Sequence, residues 1–81
     1  MITDKIIERI DQERRAQDIQ WGGPIHDDSH LTRDWFYYIE AQCNSAIQEI
    51  RLAKDKEDIQ DRFIKIAALA IAGYESQERL K

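Results

Sequence analysis

An apolar segment near the carboxyl end of the chain constrains the fold more than any other feature. Between Phe63 and Ala72, only Lys65 is polar. At helical spacing these side chains cover nearly the whole circumference, and a helix that is apolar nearly all round must be buried nearly all round. We therefore predict a helix over about residues 59–80 that two other short helices cannot cover completely. Self-association through this helix would bury the remainder, and its alanines and Gly73 would permit close helix packing.

Two further helices are predicted upstream of this segment. The first covers about residues 4–19, with Thr3 or Asp4 as its cap and an isoleucine stripe that turns polar halfway along. Such a stripe indicates either a helix half that lines a polar site or a helix end that emerges into solvent. The second covers about residues 33–53, with Thr32 as its cap. Its apolar side chains recur at helical spacing and are Trp35, Phe36, Ile39, Cys43, Ala46, Ile47 and Ile50.

These elements predict the fold class. The chain is expected to be all-α, a helical hairpin or three-helix bundle in one domain over residues 1–81, completed by oligomerisation. A length of 81 residues is near the lower limit for a self-sufficient hydrophobic core. The charged stretch 54–58 is expected to connect the second and third helices, with Asp55 or Asp58 as the cap.

Composition limits the classes of partner. A net charge of −4 argues against DNA binding, which relies on a basic surface to neutralise phosphates. The longest apolar run is far shorter than the roughly 20 residues that cross a bilayer, so no membrane contact is expected. Cys43 is the one cysteine and cannot form an internal disulfide, and no stretch resembles a secretory signal. We therefore expect a cytoplasmic protein.

Residues 20–31 form the candidate functional loop. Gly22 and Gly23 permit unusual backbone conformations, and the proline after them forbids continuation of the first helix. Carboxylates suit Mg²⁺, and a neighbouring carboxylate orients an imidazole such as His26. Asp28 could equally be a helix cap. The candidate metal ligands are Glu13, Asp27 and Asp28, with His30 and Asp34 close by in sequence.

Candidate ligand-binding side chains flank this loop. Guanidinium groups bind phosphate in a bidentate manner, and a lysine held among apolar neighbours is a fixed positive charge. Trp21 could stack on a base, although packing into the core is the commoner fate of a tryptophan. Lys65 could instead extend its aliphatic stem into solvent. The candidate set is Arg14, Arg15, Gln17, Trp21, Gly22, Gly23, His26 and Lys65.

Several of these residues resemble a group of small phage and prophage proteins whose shared pattern reads R-x-x-Q, a W-G or G-W turn, and E-H-D-D. The matching segments are residues 13–17, 21–24 and 26–28, and the stretch 62–70 with Glu75 looks like that group's last helix. Some members are described as relatives of the all-α nucleotide pyrophosphohydrolases of the MazG type. The resemblance implies a helical oligomer in the host-cell cytoplasm that handles a phosphorylated nucleotide, with Mg²⁺ as a possible cofactor.

The chain departs from this pattern in two ways. Ile25 stands where the group has glutamate, and the E-E-x-x-E and E-x-x-D motifs that hold Mg²⁺ in the MazG type are absent. We therefore favour an oligomeric protein that binds a phosphorylated nucleotide and sequesters a nucleotide immune signal, an anti-defence role. The alternative is hydrolysis, with Mg²⁺ on Glu13, Asp27 and Asp28 and with His26 assisting proton transfer. A third hypothesis is a protein-binding inhibitor that acts through the acidic surface.

Overall fold

The computed structural model describes residues 2–21 and 30–80, which form three α-helices and no β-strand. Helix α1 spans Asp4–Trp21, helix α2 spans Thr32–Arg51 and helix α3 spans Lys56–Arg79. The predicted all-α class is confirmed for this part of the chain. Helix α3 packs against both α1 and α2, whereas the described residues of α1 and α2 do not pack against each other. Helix α3 is therefore the element that holds the fold together.

Helix α1 begins where the sequence predicts. The Thr3 hydroxyl oxygen accepts a hydrogen bond from the backbone N–H of Ile6 at 3.3 Å, which satisfies one of the free donors in the first turn. The helix continues to Trp21, two residues beyond the predicted end. None of the three described helices combines the length and the apolar character that crossing a bilayer requires.

The predicted cap of α2 is wrong by one residue. Leu31, in an extended conformation, is the residue before the helix, and Thr32 is already helical. The Asp34 carboxylate accepts the Leu31 N–H at 2.9 Å, so the side chain in the first turn reaches back to the cap. The Thr32 hydroxyl instead accepts a hydrogen bond from the Gln77 side-chain amide at 3.0 Å. This contact joins the start of α2 to the end of α3.

The connection between α2 and α3 is shorter than the sequence predicts. Helix α2 ends in a Schellman motif, in which Lys54 N–H bonds to the Glu49 carbonyl at 3.0 Å and Ala53 N–H bonds to the Ile50 carbonyl at 3.1 Å. Helix α3 then begins at Lys56, so most of the charged stretch 54–58 lies in its first turn. The cap position is occupied by Asp55 rather than Asp58, and no hydrogen bond from a helix N–H to the Asp55 carboxylate is formed within the described chain.

The core of the described part is small. Its buried apolar residues are Trp35 from α2 and Ala68, Leu69 and Ala72 from α3. Gly73 lies directly against Trp35, because a Cβ at this position would be 3.2 Å from both Cβ and Cγ of the indole side chain. Gly73 therefore does permit a close approach, but the neighbour is Trp35 of the same chain, whereas the sequence-based prediction assigned Gly73 to self-association.

Within a single chain, α1 and α2 leave part of α3 uncovered, as the sequence predicts. Phe63 and Tyr74 are each 68% exposed, and Ile71 is also exposed. Helix α1 covers one side and helix α2 another, so the remaining side of this mostly apolar helix faces outward. The stripe of α2 is likewise only partly used, with Trp35 buried and Phe36 68% exposed.

Candidate functional site

The polar half of α1 faces α3 rather than solvent. Gln17 is only 6% exposed, and the Arg14 side chain, one turn earlier, is 17% exposed. The guanidinium of Arg14 lies 3.4 Å from the Asp18 carboxylate and 3.2 Å from the Glu75 carboxylate of α3. Of the two interpretations of the polar stripe, a helix end that emerges into solvent is therefore wrong for these two residues.

Gln17 carries an unusual polar atom. Its side-chain carbonyl oxygen is fully buried and accepts no hydrogen bond from any described residue. A buried amide oxygen without a partner costs about 1–3 kcal/mol, so such a group needs a reason to be retained. Residues three apart on a helix lie on one face, which places Gln17 beside the partly buried guanidinium of Arg14. Together they offer an amide and a positive charge at one place.

Arg14 and Arg15 are not brought together by the fold. Arg15 is 75% exposed at its side chain and forms an ion pair with Asp11 at 2.9 Å on the outer surface of α1. Successive helical residues are separated by about 100°. The two arginines therefore have different surroundings, and Arg14 is the one that faces α3.

Lys65 and Glu13 line one polar groove between α1 and α3. Its volume is about 280 Å³, and Arg9 contacts Asp61 across it at 2.5 Å. Lys65 is exposed. The expectation of a lysine held among apolar neighbours is wrong, and the alternative in which the side chain reaches solvent is the one observed. Because Glu13 shares its groove with Arg9 and Lys65, this groove does not favour a divalent cation.

The remaining sequence-predicted site residues lie outside the described part of the chain. They are the side chain of Trp21 together with Gly22, Gly23, His26, Asp27 and Asp28. Their roles in ligand or Mg²⁺ binding therefore stay predictions. Among residues 2–21 and 30–80, no three histidine, cysteine, aspartate or glutamate side chains come together as a metal site.

His30, at the end of the predicted loop, belongs to an aromatic cluster. Its ring packs edge-on against Trp35 at 5.5 Å and against Tyr38 at 5.3 Å between ring centroids. Its Nδ1 lies 3.9 Å from the Asp34 carboxylate, which is itself engaged at the start of α2. Edge-to-face contacts of this kind contribute to packing. His30 therefore packs against the first turns of α2 and is not an isolated surface histidine.

Two features of the surface were not anticipated from the sequence. Glu75, noted only as part of a matching helix, is the α3 partner of Arg14, and it lies 61 residues away along the chain. The other feature is an apolar groove of about 290 Å³ between α2 and α3, with Phe36 and Tyr74 among its lining residues. The amphipathic stripe of α2 is the sequence signal for this groove.

The fold and these surfaces define a small all-α protein in which two helices pack on a central third. No protein-family model, no curated protein and no solved structure matches the chain. The functional proposal therefore depends on the chain's own residues and on the sequence pattern described above.

Proposed function

We propose that the protein is a homo-oligomer that binds a phosphorylated nucleotide at the carboxyl-terminal half of α1 and sequesters it. The observation that supports this most is Gln17, whose buried carbonyl oxygen has no donor among the described residues. In this proposal, ligand binding opens the Gln17 side chain to the ligand, and the exocyclic amine or a ring N–H of a base supplies the donor that the oxygen lacks. A bound base would satisfy the amide and offset the cost of burying it.

Arg14 supplies the charge for the phosphate in this proposal. A guanidinium has five N–H donors in a planar fork, and the contacts of Arg14 with Asp18 and Glu75 are long, at 3.4 and 3.2 Å. A phosphate can therefore bind to the same guanidinium while Glu75 keeps its orientation. The partial burial of Arg14 strengthens such a contact, because solvent screens it less than it screens a fully exposed charge.

The loop 20–31 provides the rest of the proposed site. Trp21 offers an aromatic face for a base, Gly22 and Gly23 offer backbone N–H groups, and His26 offers an imidazole. The resemblance to small phage proteins favours a nucleotide immune signal in the host-cell cytoplasm as the ligand. Sequestration needs affinity and no chemistry, which agrees with the missing Mg²⁺ motifs of the MazG type.

Self-association through α3 is part of the same proposal. The described core contains four buried apolar side chains, and chains of about this length bury only some 60% of the surface of the unfolded chain. The apolar surface that α3 exposes is of the kind that interfaces between subunits bury.

Native mass spectrometry of protein purified from a nucleotide-rich lysate tests binding directly. We expect a small molecule with the mass of a phosphorylated nucleotide, recovered intact, on an oligomer of a 9.6 kDa subunit. Calorimetric titration with the recovered nucleotide should then show weaker binding for Arg14→Ala, by about tenfold to a hundredfold, through the loss of a charge-assisted contact. Arg51→Ala, at an exposed position near the far end of α2, is the matched control.

A second variant separates binding from folding. Gln17→Leu removes the unpartnered amide, so we expect equal or higher stability, by up to about 1 kcal/mol, together with weaker nucleotide binding. Urea unfolding measures the first effect and titration the second. A residue retained for packing alone would show no loss of binding.

Two outcomes would replace the proposal. Turnover of nucleoside triphosphates that requires Mg²⁺ and is abolished by Asp27→Ala and Asp28→Ala would establish hydrolysis in place of sequestration. The protein-binding inhibitor would be favoured if no nucleotide were recovered and a host protein were recovered instead. That host protein should still bind after Arg14, Trp21 and His26 are substituted together.

A further inference from the structure

An exposed apolar stripe runs along α2 and another along α3. Residues separated by 7, 11 or 14 positions lie within about 40° of one another around a helix, so these side chains share one line on each helix. The α2 stripe extends over 15 residues, or about 21 Å. Its exposed members are Phe36, Cys43, Ile47 and Ile50, and those of α3 are Phe63, Ala70 and Tyr74. We refer to these seven residues as the outer face.

The two stripes meet in the apolar groove between α2 and α3. The groove has a volume of about 290 Å³ and is lined by small residues, Ala70 and Gly73, as well as by large ones. Phe36 and Tyr74, at the same groove, are each 68% exposed. One surface therefore carries both projecting aromatic rings and a recess of a size that can receive an aromatic ring. A two-fold contact needs this combination, because each copy must present the knob and the hole at once.

The area that the chain exposes matches what a dimer would bury. Its accessible surface is 6273 Å², whereas a compact monomer of 9.6 kDa is expected to expose about 5,100 Å². The difference is on the order of 1,000 Å², and a standard interface buries about 800 Å² on each partner. An interface with a partner of the chain's own size therefore has the right order of area to cover this excess, which is a total for the whole chain.

The charge of the groove also fits a second copy. Charged residues make up 35% of the chain, and its net charge is −4, so two copies carry an overall electrostatic repulsion. None of the residues that line this groove is charged, and Thr32 and Gln77 supply its polar groups. Two copies that meet at this groove bring no like charges together within it. The aromatic rings can be desolvated without the burial of an unpaired charge.

We propose that a second copy of this chain docks on the outer face about a two-fold axis, with Phe36 and Tyr74 of each copy in contact with the groove of the other. The contact specifies the self-association included in the proposed function, and it adds α2 to an interface that the sequence assigned to α3 alone. It does not depend on the identity of the ligand.

Sedimentation velocity of the purified full chain over a concentration series tests the contact. We expect the wild type to sediment as an oligomer at micromolar concentration. Phe36→Glu and Tyr74→Glu should each raise the dissociation constant by at least about 30-fold, since they place charges in a desolvated contact. Tyr37→Glu is the matched control, because Tyr37 is an exposed aromatic residue next to Phe36 that does not line the groove. Circular dichroism of each variant confirms that the helices are retained.

The thiol of Cys43 gives an independent readout on the same face. It is exposed in the single chain, so we expect slow reaction with a thiol reagent in the oligomer and fast reaction in Tyr74→Glu. The proposed nucleotide binding and the proposed interface are tested by different measurements. Nucleotide titration of the same variants reports on binding, and sedimentation reports on the interface. A wild type that is monomeric at about 100 μM, or oligomers unaffected by Phe36→Glu and Tyr74→Glu, would overturn the contact.

Discussion

Ala53 is the one described residue other than glycine with a positive φ, at 54°. It occupies the position after the cap of α2, where the Schellman motif requires left-handed backbone. An L-residue with a Cβ is disfavoured there by about 1–2 kcal/mol, and glycine avoids this cost. The Schellman motif forms although Ala53 has to adopt a disfavoured backbone conformation. The motif satisfies two backbone carbonyl groups and directs the chain into α3.

Ala53→Gly should therefore stabilise the protein. The relief of backbone strain exceeds the added entropy of the unfolded chain, and we expect a net gain of about 0.5–1 kcal/mol. Chemical denaturation measures the change in the free energy of unfolding. Ala53→Val is the opposing control and should destabilise, since a β-branched side chain tolerates this conformation poorly. Equal stability of the glycine and alanine proteins would show that the turn is not strained.

At the scale of the elements, partly buried ion pairs fix the packing of α3 on its neighbours. The guanidinium of Arg62 in α3 bonds to the Glu49 carboxylate of α2, with Nε 2.9 Å from Oε1, and also bonds to the Gln42 side-chain oxygen. The two charged side chains are 22% and 16% exposed. On the other side of α3, the partly buried Arg14 of α1 pairs with Glu75, and Arg9 forms a more exposed pair with Asp61. Helix α3 is therefore held by charges from both neighbours.

Arg62→Ala should destabilise far more than Arg15→Ala. The first removes charge-assisted hydrogen bonds and leaves Glu49 partly buried without its partner, at a cost of about 1.5–3 kcal/mol. The second breaks an exposed pair within α1, which contributes less than about 0.5 kcal/mol. Both variants replace an arginine inside a helix by alanine, so the change in helix propensity is the same in the two cases. Urea unfolding of the two variants measures the contrast, and similar losses would contradict the assigned role of Arg62.

Much of the architecture could be predicted from residue spacing, while the pairing of side chains could not. Periodicity located three helices and Gly73 indicated close packing, because both signals are local. The cap of α2 is Leu31 and not the predicted Thr32, because the Asp34 carboxylate binds the Leu31 N–H while the Thr32 hydroxyl accepts from Gln77, which is distant in sequence. The Arg14–Glu75 pair joins residues 61 apart, and a single sequence carries no signal for it. The α2 stripe recurs at helical spacing, but four of its seven side chains are exposed and only Trp35 is buried.

At the scale of the whole molecule, the chain is elongated, with extents of 43 × 27 × 25 Å. Two helices pack on a third, and the described core is limited to four buried apolar side chains. Small domains gain little from such a core against the entropy of ordering the chain, and oligomerisation is a common remedy. We infer that folding and association are coupled in this protein. The apolar outer face would then contribute to stability as well as to assembly.

The unfolding midpoint in urea, measured over a hundredfold range of protein concentration, tests this coupling most directly. A protein stabilised by its own association unfolds at higher urea as its concentration rises, because mass action favours the associated native state. We predict a clear rise of the midpoint for the wild type and none for Tyr74→Glu. A wild-type midpoint that stays constant over the whole range would show that the single chain is stable by itself.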